Sequence, residues 1–155
     1  VKRYKMKLTC VVLLALFLTG CTGMSEEWGV GFVKGVRSLP ARDFTAGEKK
    51  EAMAAKERFE KPFTEELRRQ LAENDLLGLK GWLVFFDFFS DGTIKTANVW
   101  VYTYWGSEQR YNVYSVPMES FTDETQLPTI VEESTQEVTS LLLEKAAFMY
   151  QQSVD

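Results

Sequence analysis

Trp82-Leu83-Val84-Phe85-Phe86-Asp87-Phe88-Phe89, closed by Ser90-Asp91-Gly92-Thr93 and answered by Ile94 to Trp105, is the stretch on which the fold turns. Both runs are rich in the β-branched and aromatic residues that suit a pleated, half-buried surface, and an Asp-Gly pair between two such runs is a strong short-range hairpin signal. With Asp91-Gly92 as a two-residue type I′ loop, Phe86 pairs with Ala97, Val84 with Val99 and Trp82 with Val101 on a purely apolar face. The opposite face pairs Asp87 with Thr96, Phe85 with Asn98 and Leu83 with Trp100, and continues through Tyr102 and Tyr104. Gly106-Ser107-Glu108-Gln109 reads as a second turn that returns Tyr111 to Met118 as a third strand, ended by Pro117.

Helices flank this meander. Thr45-Ala46-Gly47-Glu48 is a capping box, and Met53, Ala55, Phe59, Phe63, Leu67 and Leu71 follow at helical spacing, with Glu57/Lys61 and Glu65/Arg69 four apart. Pro62 predicts a kink or a break near Lys61, and Asn74-Asp75 with Gly78 predicts the end. Thr129-Ile130-Val131-Glu132 repeats the capping pattern. Val131, Val138, Leu141, Leu142, Ala146, Phe148 and Met149 then predict a C-terminal helix of about 20 residues with an acidic, solvated outer face. The fold expected is α+β: an antiparallel three-stranded meander packed against a kinked N-terminal helix and a C-terminal helix.

Composition narrows the chemistry. The 155 residues are 45% hydrophobic and contain no histidine and two cysteines, Cys10 and Cys21. A Ser-His-Asp or Cys-His nucleophile pair, a histidine-ligated zinc and a four-cysteine metal site are therefore excluded, and no catalytic residue, metal or cofactor is expected. Adjacent carboxylates such as Glu65-Glu66 and Glu132-Glu133 point in different directions on a helix and form no acid/base dyad. No S-x-x-K occurs after residue 20.

The N-terminus gives an address. Val1 to Lys7 is basic, Leu8 to Leu18 is apolar, and Thr19-Gly20-Cys21 is small; Met6 would begin an equally workable signal. Eleven helical residues reach only about 17 Å, too short for a bilayer core of about 30 Å. Leu18-Thr19-Gly20-Cys21 resembles the lipobox of bacterial lipoproteins. That resemblance implies cleavage between Gly20 and Cys21, lipidation of Cys21 with acyl chains such as palmitate, and membrane attachment through that anchor. Thr22 after the cysteine resembles the sorting pattern of an outer-membrane lipoprotein facing the periplasm.

The expected organisation is a signal peptide at 1–20, a lipidated tether at 21–27 and one α+β domain at 28–155. Losing the four basic residues of 1–20 leaves 14 basic against 22 acidic groups, and residues 108–155 hold nine acids against Arg110 and Lys145. No basic patch is left to neutralise a phosphate backbone, so no nucleic acid is expected. Trp28-Gly29-Val30-Gly31-Phe32-Val33-Lys34-Gly35-Val36 lacks the G-x-G-x-x-G spacing and reads as a loop or an irregular edge strand alternating Trp28, Val30 and Phe32.

Two features point to a site. Asp87 lies among four phenylalanines, where an unpaired carboxylate would be costly, so Thr96 or Lys95 is expected as its partner. Trp100, Tyr102, Tyr104, Tyr111 and Tyr114 form an aromatic group of the composition found at interface hot spots. The expected partner surface is Asp87, Asn98, Trp100, Tyr102 and Tyr104. The function expected is that of a non-enzymatic binding or accessory subunit of an envelope protein assembly; the alternative is a carrier of a small apolar ligand or lipid between sheet and helices. A hydrolase built on Asp87 lacks any partner for acid-base work.

Overall fold

The hairpin forms, but with a longer loop than its Asp-Gly implies. β2 (Trp82–Ser90) and β3 (Lys95–Thr103) pair antiparallel with Ser90 opposite Lys95, leaving the four residues 91–94 as the turn. The Asp91 carboxylate accepts from the backbone N–H groups of Thr93 (2.8 Å) and Ile94 (2.7 Å), and Asp91 N–H donates to the Ile94 carbonyl (3.2 Å). This side-chain-closed turn replaces the expected two-residue loop. Phe86 therefore faces Val99, Val84 faces Val101, and Asp87 faces Asn98 rather than Thr96. The slip is by two residues, so every side chain keeps its expected face.

The structure is a computed structural model describing residues 37–39 and 43–152. The signal segment, the lipobox with Cys21, the tether and the stretch from Trp28 to Val36 lie outside the described residues. β4 (Gln109–Pro117) pairs antiparallel with β3, as the meander required. A fourth strand not expected from the sequence, β1 (Arg37–Leu39), adds parallel to β2 with Arg37 opposite Asp87, giving the sheet order β1-β2-β3-β4. Three residues ahead of Pro40 carry no alternation to read, and edge strands are commonly this short.

α1 (Ala46–Glu73) connects β1 to β2 and starts at the capping box: Thr45 Oγ1 accepts from Glu48 N–H (3.1 Å), and the Glu48 carboxylate accepts from Thr45 N–H (2.8 Å). Of the kink and the break expected at Pro62, the break does not occur; the helix is continuous through it. Phe59 and Phe63 lie on either side of Pro62 with no exposed surface. Burying two phenylalanines contributes about 1.5–3 kcal/mol each, enough to offset the roughly 3 kcal/mol that an interior proline costs. The buried stripe includes Ala52 where Met53 was expected, and Met53 is exposed. Asp75 at φ 57° closes the helix, with Leu76 N–H donating to the Leu71 carbonyl (2.8 Å) and Asp75 N–H to that of Ala72 (3.3 Å), so Gly78 is not the cap.

After β4 come α2 (Met118–Thr122), a 3₁₀ turn (Glu124–Gln126) and α3 (Leu127–Gln152). The expected capping box at Thr129 is not the start of this helix. Thr129 is exposed inside its first turns, and the chain is capped earlier by Asp123, whose carboxylate accepts from Thr125 N–H (2.9 Å). No helix among the described residues is long and apolar enough to cross a membrane.

The three helices of the described residues lie on one face of the sheet. Phe86 of β2 meets Phe59 (5.0 Å between centroids) and Phe63 (5.2 Å) of α1, and Phe88 meets Phe121 of α2 (5.7 Å). Tyr114 of β4 donates to Glu133 of α3 (2.7 Å). Trp82, Val84, Phe86, Phe88, Ala97, Val99 and Val101 belong to the core with α1 and α3. Between the two long helices the core is polar: Gln70 Nε2 donates to Thr135 Oγ1 (2.9 Å), and Gln70 Oε1 accepts from Thr139 Oγ1 (3.0 Å). All three residues are buried; the Thr135 hydroxyl also donates to the Val131 carbonyl, and the single Thr139 proton is shared between Gln70 Oε1 and the Thr135 carbonyl.

Candidate binding face of the sheet

The other face of the sheet carries the odd-numbered residues of β2 and the even-numbered residues of β3, and it holds every residue of the expected partner surface. Asp87 finds its partner in Asn98 directly across the strand pair: Asn98 Nδ2 donates to Asp87 Oδ1 at 2.8 Å. Asn98 Oδ1 in turn accepts from Ser115 Oγ (2.7 Å) and Thr96 Oγ1 (3.2 Å), and Asn112 Nδ2 donates to Ser115 Oγ (3.1 Å). Lys95 is not the partner. Its position puts it on the helix face, where it reaches Glu48 of α1 at 2.6 Å and holds that carboxyl below the usual range by hydrogen bond and charge. The half-buried Asp87 thus sits at the end of a chain of neutral donors running across three strands.

Beside this polar chain runs an aromatic ladder. Trp100 stacks on Phe85 (5.9 Å, 18° between planes), Tyr102 packs edge-on against Phe85 (4.3 Å, 62°), and the Arg110 guanidinium lies 4.9 Å over the Tyr102 ring. Glu108 holds Arg110 in place at 2.7 Å, and Tyr104 ends the ladder 48% exposed, its hydroxyl pushed up by desolvation and the Glu108 charge. Leu83, Phe85 and Asn98 are buried on this face, and neither Leu83 nor Phe85 belongs to the core under the helices. The indole N–H of Trp100 is buried without a hydrogen-bond partner among the described residues.

The other two members of the aromatic group, Tyr111 and Tyr114, lie on the helix side. The pairing of β3 with β4 is interrupted between Val99 and Trp100: Val99 faces Tyr114 and Trp100 faces Asn112, so Val113 is the extra residue of a bulge. Strict alternation would place Tyr111 and Tyr114 on opposite faces, but the bulge turns both toward α3. Tyr114 bonds Glu133, and its hydroxyl is pushed far above the usual phenol range by burial and that carboxylate. Tyr111 lies 4.9 Å beneath the Lys145 ammonium. The same bulge brings Asn112 and Ser115, three apart, to one face. Arg110, Asn112 and Ser115 were missed because no local signal marks a bulge at Val113.

Chemically the face offers hydrogen bonding and stacking. The Ser115 hydroxyl meets amide groups only, so it has no base beside it, and no group of three or more His, Cys, Asp or Glu fit to hold a metal occurs among the described residues. The chain matches no family model, no curated protein and no solved structure.

Proposed function

We propose that this protein is a lipid-anchored lipoprotein of a bacterial cell envelope, held through Cys21 and acting as a non-enzymatic binding subunit of an envelope assembly through the face of its sheet opposite the described helices. One observation carries the binding role. The three helices of the described residues gather on one face, while the other carries Trp100, Tyr102, Tyr104 and Arg110 beside the Asp87-Asn98-Ser115 chain. Rigid aromatics next to an arginine give contact area at small entropy cost. The anchor rests on the lipobox resemblance of Leu18 to Cys21.

A photo-crosslinking amino acid placed at Tyr104, which is half exposed, should capture an envelope protein that the same group at the exposed Glu57 of α1 does not. Trp100→Ala should abolish that product. Identical products from both positions would defeat the reading. Cys21→Ser should release the chain from membranes, and continued membrane attachment would remove the anchor.

A further inference from the structure

A second concave region lies at the end of the molecule where the β3–β4 turn meets the last turns of α3. A cavity of about 420 Å³ opens there, walled by Trp105, Gln109, Tyr111, Lys145, Phe148 and Met149. Its size is that of a small-molecule site. Two of its polar groups, on Trp105 and Tyr111, are already engaged. Trp105 Nε1 donates to the Lys80 carbonyl (2.7 Å), and the Tyr111 hydroxyl donates to the Gln109 side chain. Trp105 is fixed by more than this bond: a Cβ on Gly81, whose φ is 82°, would stand 2.7 Å from Trp105 Nε1, so the indole packs where only glycine admits it.

The cavity presents ring and thioether surface from Trp105, Tyr111, Phe148 and Met149, the polar side chains of Thr103 and Gln109, and one basic group, that of Lys145. Lys145 is the single basic residue from 118 to the C-terminus, against eight acids. It is about a quarter exposed, lies over the Tyr111 ring, and pairs with the carboxylate of its neighbour Glu144 at 3.3 Å. Phe148 is 58% exposed and Met149 37%, so the cavity opens along an apolar track on the final turns of α3. An apolar chain bearing one anion complements these groups.

We infer that this cavity binds a single-chain anionic amphiphile, a fatty carboxylate, with its carboxylate on Lys145 and its chain between Trp105 and Phe148. This site is on the helix side of the sheet and is independent of the partner face above.

Calorimetric titration of the full chain with decanoate, decanol and decyltrimethylammonium tests it. Decanoate should bind one to one and saturably below its micelle concentration, at least tenfold tighter than the cationic analogue. Lys145→Gln should weaken decanoate about tenfold and leave decanol within twofold, whereas Phe148→Ala should weaken both. Both substitutions change side chains outside the core, and unchanged melting temperatures check that the variants are folded. The inference is overturned by absence of saturable binding, by equal decanoate affinity in Lys145→Gln, by the cation binding as tightly as the anion, or by uptake seen only with phosphatidylglycerol vesicles, which would mark adsorption to a bilayer.

Discussion

Trp82 and Trp100 lie on opposite faces of one sheet, and they are treated very differently. Trp82 is buried under the helices with its indole N–H donating to the Leu79 carbonyl at 2.9 Å. Trp100, half-buried and stacked on Phe85, has its N–H enclosed with no partner among the described residues. On the helix face both shape and polarity are satisfied from within the chain, which is what a core needs. On the other face shape is satisfied and polarity is not. An unmet donor weakens a fold and favours contact with something else.

The largest effect that would sharpen this contrast is in the core. Phe63→Ala, at a site with no exposed surface between Phe59 and Phe86, should destabilise by about 3–5 kcal/mol in urea unfolding, while Tyr102→Ala should cost about half as much or less. Equal losses would mean that the two faces are energetically alike. Next is Gly81→Ala, where the positive φ and the 2.7 Å approach to Trp105 Nε1 should together cost about 2 kcal/mol and shift the Trp105 fluorescence.

The acid limb of stability comes third. Arg69 and then Gln70 hold the Glu66 carboxyl down to about 2 from its ordinary 4.5. A depressed carboxyl stabilises the fold fully above the unfolded value, and that contribution fades as pH falls from about 4.5 toward 2. With Arg69 half exposed, solvent screening leaves about 1 kcal/mol, so Glu66→Gln should lower stability by that amount at pH 7 and by almost nothing at pH 2. The smallest effect is the most diagnostic. Trp100→Phe removes an unmet donor and should change stability by less than about 1 kcal/mol, whereas Trp82→Phe removes a satisfied one and should cost more than that. Equal costs would erase the distinction between the faces.

How legible these features were depended on how local they are. Two T-x-x-E patterns occur, and only one caps a helix. At Thr45 nothing competes, and both reciprocal bonds form. At Thr129 the preceding chain is already drawn in by Phe121, buried against Phe59 (5.3 Å) and Phe88, so Asp123 makes the cap and the helix is under way before Thr129. The assignment of Asp87, Asn98, Trp100, Tyr102 and Tyr104 to one face was readable although the register was off by two, because parity survives an even slip. Their partners were not readable, since Asn98 for Asp87 and Arg110 for Tyr102 depend on loop length and on the bulge at Val113.

By itself the sequence determined the period-two alternation of β2 and β3, the capped amphipathic helix beginning at Thr45, and the absence of imidazole from the chain. These are local matters of side-chain direction, turn propensity and composition. Tertiary structure decided which alternating residues meet. Asp91 closed a longer loop, the bulge sent Tyr111 and Tyr114 to the helix side, and β1 joined the edge at Asp87. The Asp91 turn is closed by its near neighbours Thr93 and Ile94, but the bulge and the edge strand depend on separate segments competing for the same hydrogen bonds and the same buried surface, a competition settled only when the whole sheet has been packed.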